Sequence, residues 1–124
     1  MINLDFKSDT PIYEQIIEQI KYHVMKGNLE AGTIIPSVRK MALELSITPG
    51  TVAKAYQELE RQGIIETIRG KGTFIALKIE KKPDEEKVEQ ISKEFQSKII
   101  ELKMMGYDEE HIVELIRNLY REMS

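Results

Sequence analysis

Residues 36–63 read PSVRKMALELSITPGTVAKAYQELERQG, a segment with the signals of two short helices in succession. Ser37 suits the N-cap of a short helix because its hydroxyl can accept a hydrogen bond from a free backbone N–H. That helix buries one apolar face at helical spacing, formed by Val38, Met41, Ala42 and Leu45. Ser46-Ile47 then predicts a tight turn.

A second helix starts directly after this turn. Thr48 is a hydroxyl N-cap, and Pro49 occupies the first helical position, where a missing N–H costs no hydrogen bond. Apolar residues recur at helical spacing until Gly63, namely Val52, Ala55, Tyr56 and Leu59. Two short helices joined by a turn of about three or four residues predict a helix-turn-helix.

The residues before this stretch predict one more helix. Thr10 and Pro11 repeat the same N-terminal device, and Gly27 suits a left-handed C-cap, so the helix should end near Lys26. Its apolar stripe runs at spacings of four, through Ile12, Ile16, Ile20 and Val24.

The residues after Gly63 change from helical to strand-like patterning. Residues 64–68 and 73–77 are rich in β-branched and aromatic side chains, which favours two strands. Between them, Arg69-Gly70-Lys71-Gly72 predicts a glycine-rich hairpin tip that carries two cations. The expected fold class is therefore mainly α with a small β-hairpin, a winged helix-turn-helix.

A helical tail follows a charged linker that contains Pro83. Two apolar seams lie on either side of Gly106: Val88, Ile91, Phe95, Ile99 and Leu102, then Ile112, Leu115, Ile116, Leu119 and Met123. A two-helix hairpin of about 40 residues is too small to bury such a face alone. We therefore expect a domain over residues 1–78 and a tail over residues 79–124 that meets either that domain or another chain.

Length, composition and charge limit the function classes. The chain has 124 residues, 41% of them hydrophobic and none of them cysteine, and no long apolar run or secretory signal opens it. These features predict a small cytoplasmic protein without a membrane span. The net charge of −3 is unevenly spread: residues 1–78 hold ten Lys and Arg against nine Asp and Glu, and residues 79–124 hold eight against twelve. The acidic surplus in the tail therefore does not argue against nucleic-acid binding by the first domain.

Several polar residues fall where a winged helix would meet DNA, at helix starts and at the hairpin tip. In this fold the third helix enters the major groove and the wing lies along the adjacent backbone or minor groove. Thr48, Gly50 and Thr51 open that helix, where free N–H groups favour a phosphate. The cations of this domain that could take part are Arg39, Lys40, Lys54, Arg61, Arg69 and Lys71. The alternative is that these are ordinary solvated charges on a helical domain.

Catalysis and cofactor binding find little support in the sequence. The Arg69–Thr73 segment lacks the Lys-Ser/Thr pair that opens a helix in a P-loop. His23 and His111 are the only imidazoles, and neither has a second histidine at metal-ligand spacing. We therefore predict no enzyme, no metal site and no cofactor.

The stretch from Pro11 to Ile75 closely resembles the winged-helix domain of GntR-type bacterial transcription regulators. The resemblance rests on four motifs in order: Pro-x-Tyr-x-Gln-Ile from Pro11, Pro36-Ser37-Val38-Arg39, Thr51-Val52 with Ala55-Tyr56 and Leu59-Glu60, and Gly70-x-Gly72-Thr73-Phe74. The short helical tail resembles that of the YtrA subfamily, whose members lack the large effector domains of their relatives.

The resemblance implies a homodimeric repressor that binds double-stranded DNA at a palindromic operator, with half-sites about 10 bp apart centre to centre. It also suggests control of a membrane-transporter operon and leaves room for an unknown small-molecule effector. Carried over by position, the DNA contacts are Ser37, Arg39, Thr48, Pro49, Gly50, Thr51, Lys54, Arg69, Lys71 and Gly72. The dimer contacts are Val88, Ile91, Phe95, Ile99, Leu102, Ile112, Leu115, Ile116 and Leu119.

One departure from the family pattern affects specificity. Many relatives have arginine where this chain has Pro49, and often a second arginine where it has Ala53. A good bidentate base contact gives about 1–3 kcal/mol of discrimination, so Arg39, Lys54 and Arg69 would carry more of the recognition here. Two alternatives stay open: a winged-helix protein-interaction module that never meets DNA, and a small-molecule sensor with a pocket between domain and tail.

Overall fold

The computed structural model describes all residues 1–124 and divides them into two compact units, Met1–Glu80 and Lys81–Ser124. The first unit contains, in chain order, helix α1 (Ile12–Lys26), strand β1 (Ile34–Ile35), helices α2 (Val38–Leu45) and α3 (Pro49–Arg61), and strands β2 (Ile65–Ile68) and β3 (Gly72–Ile75). The second contains helices α4 (Glu85–Met104) and α5 (Glu109–Met123). The predicted fold class, mainly α with a small β-structure, is confirmed.

The helix ends follow local chemistry at most of the predicted positions. The Ser37 hydroxyl accepts a hydrogen bond from the Lys40 backbone N–H at 3.2 Å, as an N-cap should. Gly27 is left-handed after α1, with a φ of 87°. The prediction of Thr10 as an N-cap is wrong by one residue, because α1 begins after Pro11 and makes no side-chain cap.

The core of the first unit lies where α1, α2 and α3 meet the sheet. The predicted apolar faces of these helices supply most of it, and Ile16, Ile20, Val52 and Leu59 are fully buried. Ile75 closes the core from the sheet side at 1% exposure. Burial of these aliphatic side chains stabilises the orientation of α3, because α1, α2 and β2 all pack against it.

The sheet has one strand more than the predicted hairpin. Its order is β1-β3-β2 and all pairs are antiparallel, with Ile34 opposite Phe74 in the added pair. β1 is only two residues long and is followed by Pro36, so it carries almost no alternation that could reveal a strand. Tertiary pairing with the wing creates it.

The N-terminal segment packs along α1 through a row of polar side chains that no sequence pattern predicts. Gln15 accepts a hydrogen bond from the Asp5 N–H at 2.9 Å and donates to the Asp5 and Thr10 carbonyls. One turn further on, Gln19 bonds both the N–H and the carbonyl of Asn3. Gln15 and Gln19 lie four residues apart on one face of α1, so both can contact the segment that contains Asn3 and Asp5.

The second unit leaves its apolar seams open. Asp84 and Asp108 cap its two helices by accepting the backbone N–H groups of Lys87 and His111. α4 has no buried residue, α5 has only Ile112, and the two helices share no extended packing along their lengths. None of the five helices has both the length and the apolar character needed to cross a bilayer.

Candidate nucleic-acid interface

A three-residue turn and one buried hydrogen bond set the geometry of α2 and α3. Ser46 ends α2 in the left-handed conformation, with a φ of 56°, and α3 begins at Pro49. Tyr56, on the buried side of α3, donates its phenol hydrogen to the Pro36 carbonyl at 2.7 Å. Burial raises the pKa of Tyr56, and the Glu44 charge adds to the effect, so the phenol remains a donor at neutral pH.

The start of α3 is exposed at Thr48, Pro49 and Gly50. Thr48 was predicted to cap the helix with its hydroxyl, but no such bond forms. Its Oγ1 lies 3.0 Å from Oγ1 of Thr51 instead, and its carbonyl accepts the Thr51 N–H. A Cβ added at Gly50 would meet no atom within 4 Å, so packing inside the chain does not require glycine there.

Arg39 lies in the first turn of α2 and is one of the residues predicted to contact DNA. Its side chain is exposed and forms no ion pair within the chain. The Ser37 cap and the Tyr56 bond to Pro36 fix the backbone on either side of the helix start. The guanidinium is therefore a free donor on a well-anchored helix end.

The wing turn between β2 and β3 carries Arg69 and Lys71, both exposed and without an ion pair. The Lys71 N–H closes the turn on the Ile68 carbonyl at 2.9 Å. Gly72 has a φ of 126°, and a Cβ there would lie 3.2 Å from Cδ1 of Ile34. The structure thus accounts for Gly72 through the wing's own geometry.

The two cations of α3 named in the sequence analysis, Lys54 and Arg61, have different contacts. The Lys54 ammonium lies 3.9 Å from the centroid of the Tyr13 ring, which reaches over from α1. Arg61 is bound to Glu58 through its Nε at 2.9 Å and lies in the last turn, about 18 Å along the helix from its start. Arg61 is therefore separate from the predicted interface.

Neither histidine belongs to a metal-binding group. Nε2 of His23 lies 2.9 Å from the Met1 carbonyl oxygen, and its Nδ1 lies 2.9 Å from Nδ2 of Asn28. Both ring nitrogens are therefore engaged in hydrogen bonds, one with the N-terminal segment and one with the residue after the C-cap of α1. Nδ1 of His111 lies 2.7 Å from the Asp108 carboxylate at the start of α5. No three His, Asp or Glu side chains are close enough together to hold a metal ion.

The fold and these exposed groups define a winged helix-turn-helix of the DNA-binding kind. The family model described as bacterial regulatory proteins, gntR family, matches residues 12–75. The HTH-type transcriptional repressor YtrA of Bacillus subtilis (strain 168) is 43% identical over 124 residues, which cover 100% of this chain and 95% of that protein. The chain therefore belongs to the GntR family of bacterial regulatory proteins and is a transcriptional regulator of that class.

Two solved structures extend the comparison. A transcriptional antiterminator from Listeria monocytogenes EGD-e is 40% identical with a TM-score of 0.88, over 99% of this chain and 92% of that one. The DNA-binding domain of AraR in complex with its operator ORX1 is 26% identical with a TM-score of 0.53, over 60% of this chain and 92% of that one. Each of these relatives is described as a transcription regulator or as a DNA-binding domain.

Proposed function

We propose that this protein is a homodimeric repressor that binds a palindromic operator in the cytoplasm. The observation that carries the proposal is the exposed α3 start, which the fold holds at one end of a buried core. The similarity of the whole chain to a transcriptional repressor supports repression and not activation. The structure of the AraR domain with its operator supports DNA as the partner.

The contacts follow from the docking geometry of winged helices. Thr48, Gly50 and Thr51 would enter the major groove at the start of α3, with Pro49 beside them and without a guanidinium of its own. Ser37 and Arg39 would contact the neighbouring backbone. The wing cations Arg69 and Lys71 have no partner in the chain and would take a further phosphate or the minor groove, close to Gly72.

The tail would supply the dimer contact. Phe95 is 63% exposed and Val88 57% exposed, which leaves large apolar side chains in water along α4. The same holds for Leu115, Ile116 and Leu119 on α5. A second copy of the chain presents an identical seam, so a two-fold dimer would bury both at once. Control of a transporter operon and a small-molecule effector stay predictions of the family resemblance.

Binding to labelled duplex DNA tests the proposal. The duplex carries the DNA upstream of the protein's own gene, and scrambled DNA competes at two salt concentrations. We expect selective binding that weakens as salt rises, because phosphate contacts release counterions, with a footprint of two half-sites about 10 bp apart. Absence of DNA binding even at low salt would contradict the proposal and favour the protein-interaction module.

A further inference from the structure

Lys54 is a cation of α3 that the structure holds against an aromatic ring. It is exposed and lies about one and a half turns into α3, next to the buried Ala55 and Tyr56. It forms no ion pair, and its ammonium lies 3.9 Å from the centroid of Tyr13. α1 and α3 pack against each other, so the ring has a fixed position relative to the DNA-facing helix.

The electronic state of the ring favours this contact. The Tyr13 hydroxyl donates a hydrogen bond to the Glu14 carboxylate at 3.2 Å. That bond and the Glu14 charge raise the pKa of Tyr13 and keep the phenol protonated. A cation over the face of a neutral tyrosine is attracted by the negative ring quadrupole.

The geometry leaves Lys54 able to bind an anion. An ammonium has three N–H donors, and a ring can face only one side of it. Lys54 is exposed, so its other donors are accessible to an anion. A lysine confined to one region of space loses less conformational entropy on binding than one that moves freely.

We propose that Tyr13 is a positioning residue that presents Lys54 to a DNA phosphate. This inference rests on the proposed operator binding and concerns a residue of α1, outside the helix-turn-helix itself. It accounts for the tyrosine of the Pro-x-Tyr-x-Gln-Ile motif as a support for α3. Tyr13 then acts on DNA affinity through Lys54.

A double-mutant cycle on the operator duplex tests this coupling. The duplex is one selected by the wild-type protein from a random-sequence pool, and its scrambled version measures non-specific binding. We expect Tyr13→Leu to weaken binding about two- to five-fold, the range of an exposed cation–π interaction. Tyr13→Phe retains the ring and should stay close to wild type. In a Lys54→Ala background, Tyr13→Leu should have no further effect.

A matched control is present on the same helix. The Lys26 ammonium lies 5.5 Å from the Tyr22 ring centroid, in the last turns of α1. The Lys26 ammonium also donates a hydrogen bond to the Tyr22 hydroxyl at 3.3 Å. Tyr22→Leu removes this tyrosine–lysine contact away from α3 and should leave DNA affinity unchanged. Thermal unfolding of each variant separates loss of fold from loss of positioning. An upfield ring-current shift of the Lys54 side-chain protons in the free wild-type protein reports the contact even if Tyr13→Leu does not fold.

The outcomes separate the two proposals. If wild-type protein shows no preference for its selected duplex over scrambled DNA, the proposed function fails and this inference falls with it. If wild-type protein binds but the Tyr13 and Lys54 effects simply add, Tyr13 does not act through Lys54. A Tyr13→Phe variant as weak as Tyr13→Leu would assign the effect to the hydroxyl and overturn the inference as well.

Discussion

The phenol O–H of Tyr56 donates a 2.7 Å hydrogen bond to the carbonyl of Pro36 and thereby links the middle of α3 to the residue that precedes the N-cap of α2. Tyr56 is 5% exposed, so this bond is almost shielded from water. It joins two residues of the helix-turn-helix that are 20 positions apart in sequence. The bond therefore adds a polar link between α3 and the start of α2 to the apolar packing of the core.

Replacing Tyr56 with Phe should destabilise the protein by about 1–2 kcal/mol, because the shielded Pro36 carbonyl loses its donor. The midpoint of urea unfolding measures the change. Tyr120→Phe is the matched control, since Tyr120 is 73% exposed and should show no comparable loss. Equal midpoints for both variants would mean that the Pro36 bond contributes nothing to stability.

Arg39→Ala should cost about 1–3 kcal/mol of operator affinity, because an unpaired guanidinium at the anchored start of α2 is lost. Arg61→Ala removes the same charge at the far end of α3, where Glu58 already binds it. Operator titrations at one fixed salt concentration compare the two variants. The assignment of Arg39 fails if its loss matters no more than that of Arg61.

The Glu58–Arg61 pair predicts a pH dependence of stability. Hydrogen bonds from Arg61 and Gln62 lower the pKa of Glu58 from 4.5 to about 2. A carboxylate whose pKa is lowered by folding stabilises the folded protein at every pH above the pKa that the group has in the unfolded chain. This contribution disappears as the pH falls from about 4.5 to 2. Glu58→Gln should therefore flatten the fall of the urea midpoint in that range. The contribution is small because the pair is solvent-exposed, and parallel wild-type and variant curves would exclude it.

Gln15→Leu should release the N-terminal segment and destabilise the fold by about 1–3 kcal/mol, because the Asp5 N–H and two carbonyls lose a partner at a buried position. Amide hydrogen exchange at Asp5 and urea unfolding give the two readouts. Gln19→Leu, one turn further and half-buried, should have a smaller effect. An Asp5 amide as protected in Gln15→Leu as in wild type would contradict the role of Gln15.

Local patterns were enough to predict the three helices and the wing, because each helix has its own apolar stripe and a Gly, Ser or Pro signal at its ends. They were not enough for β1, which exists only by pairing with β3. The Gln15 and Gln19 row was also missed, since glutamine on a helix usually faces water. The ring of Tyr13 over Lys54 joins residues 41 positions apart, and no spacing rule in one sequence could find it. The DNA and dimer contacts themselves remain predictions.

The tail seam gives the last prediction. Phe95→Glu should convert the protein to a monomer, because a two-fold dimer would bury two carboxylates, one from each copy, in an apolar seam. Leu102→Glu should do the same from its half-buried position in α4. A monomer cannot bind both half-sites of one operator at the same time and loses the affinity gained by doing so. Operator binding should therefore weaken strongly in both variants.

Sedimentation velocity and operator titration, run on the same samples, test the dimer. Met104→Glu is the control: Met104 is 83% exposed, lies in the same helix and belongs to neither seam. Phe95 is exposed in the single chain, so its replacement should leave the thermal unfolding of the first unit unchanged. If Phe95→Glu and Leu102→Glu both still sediment as dimers, the second copy does not bind through this seam, and the exposed side chains of α4 need another partner.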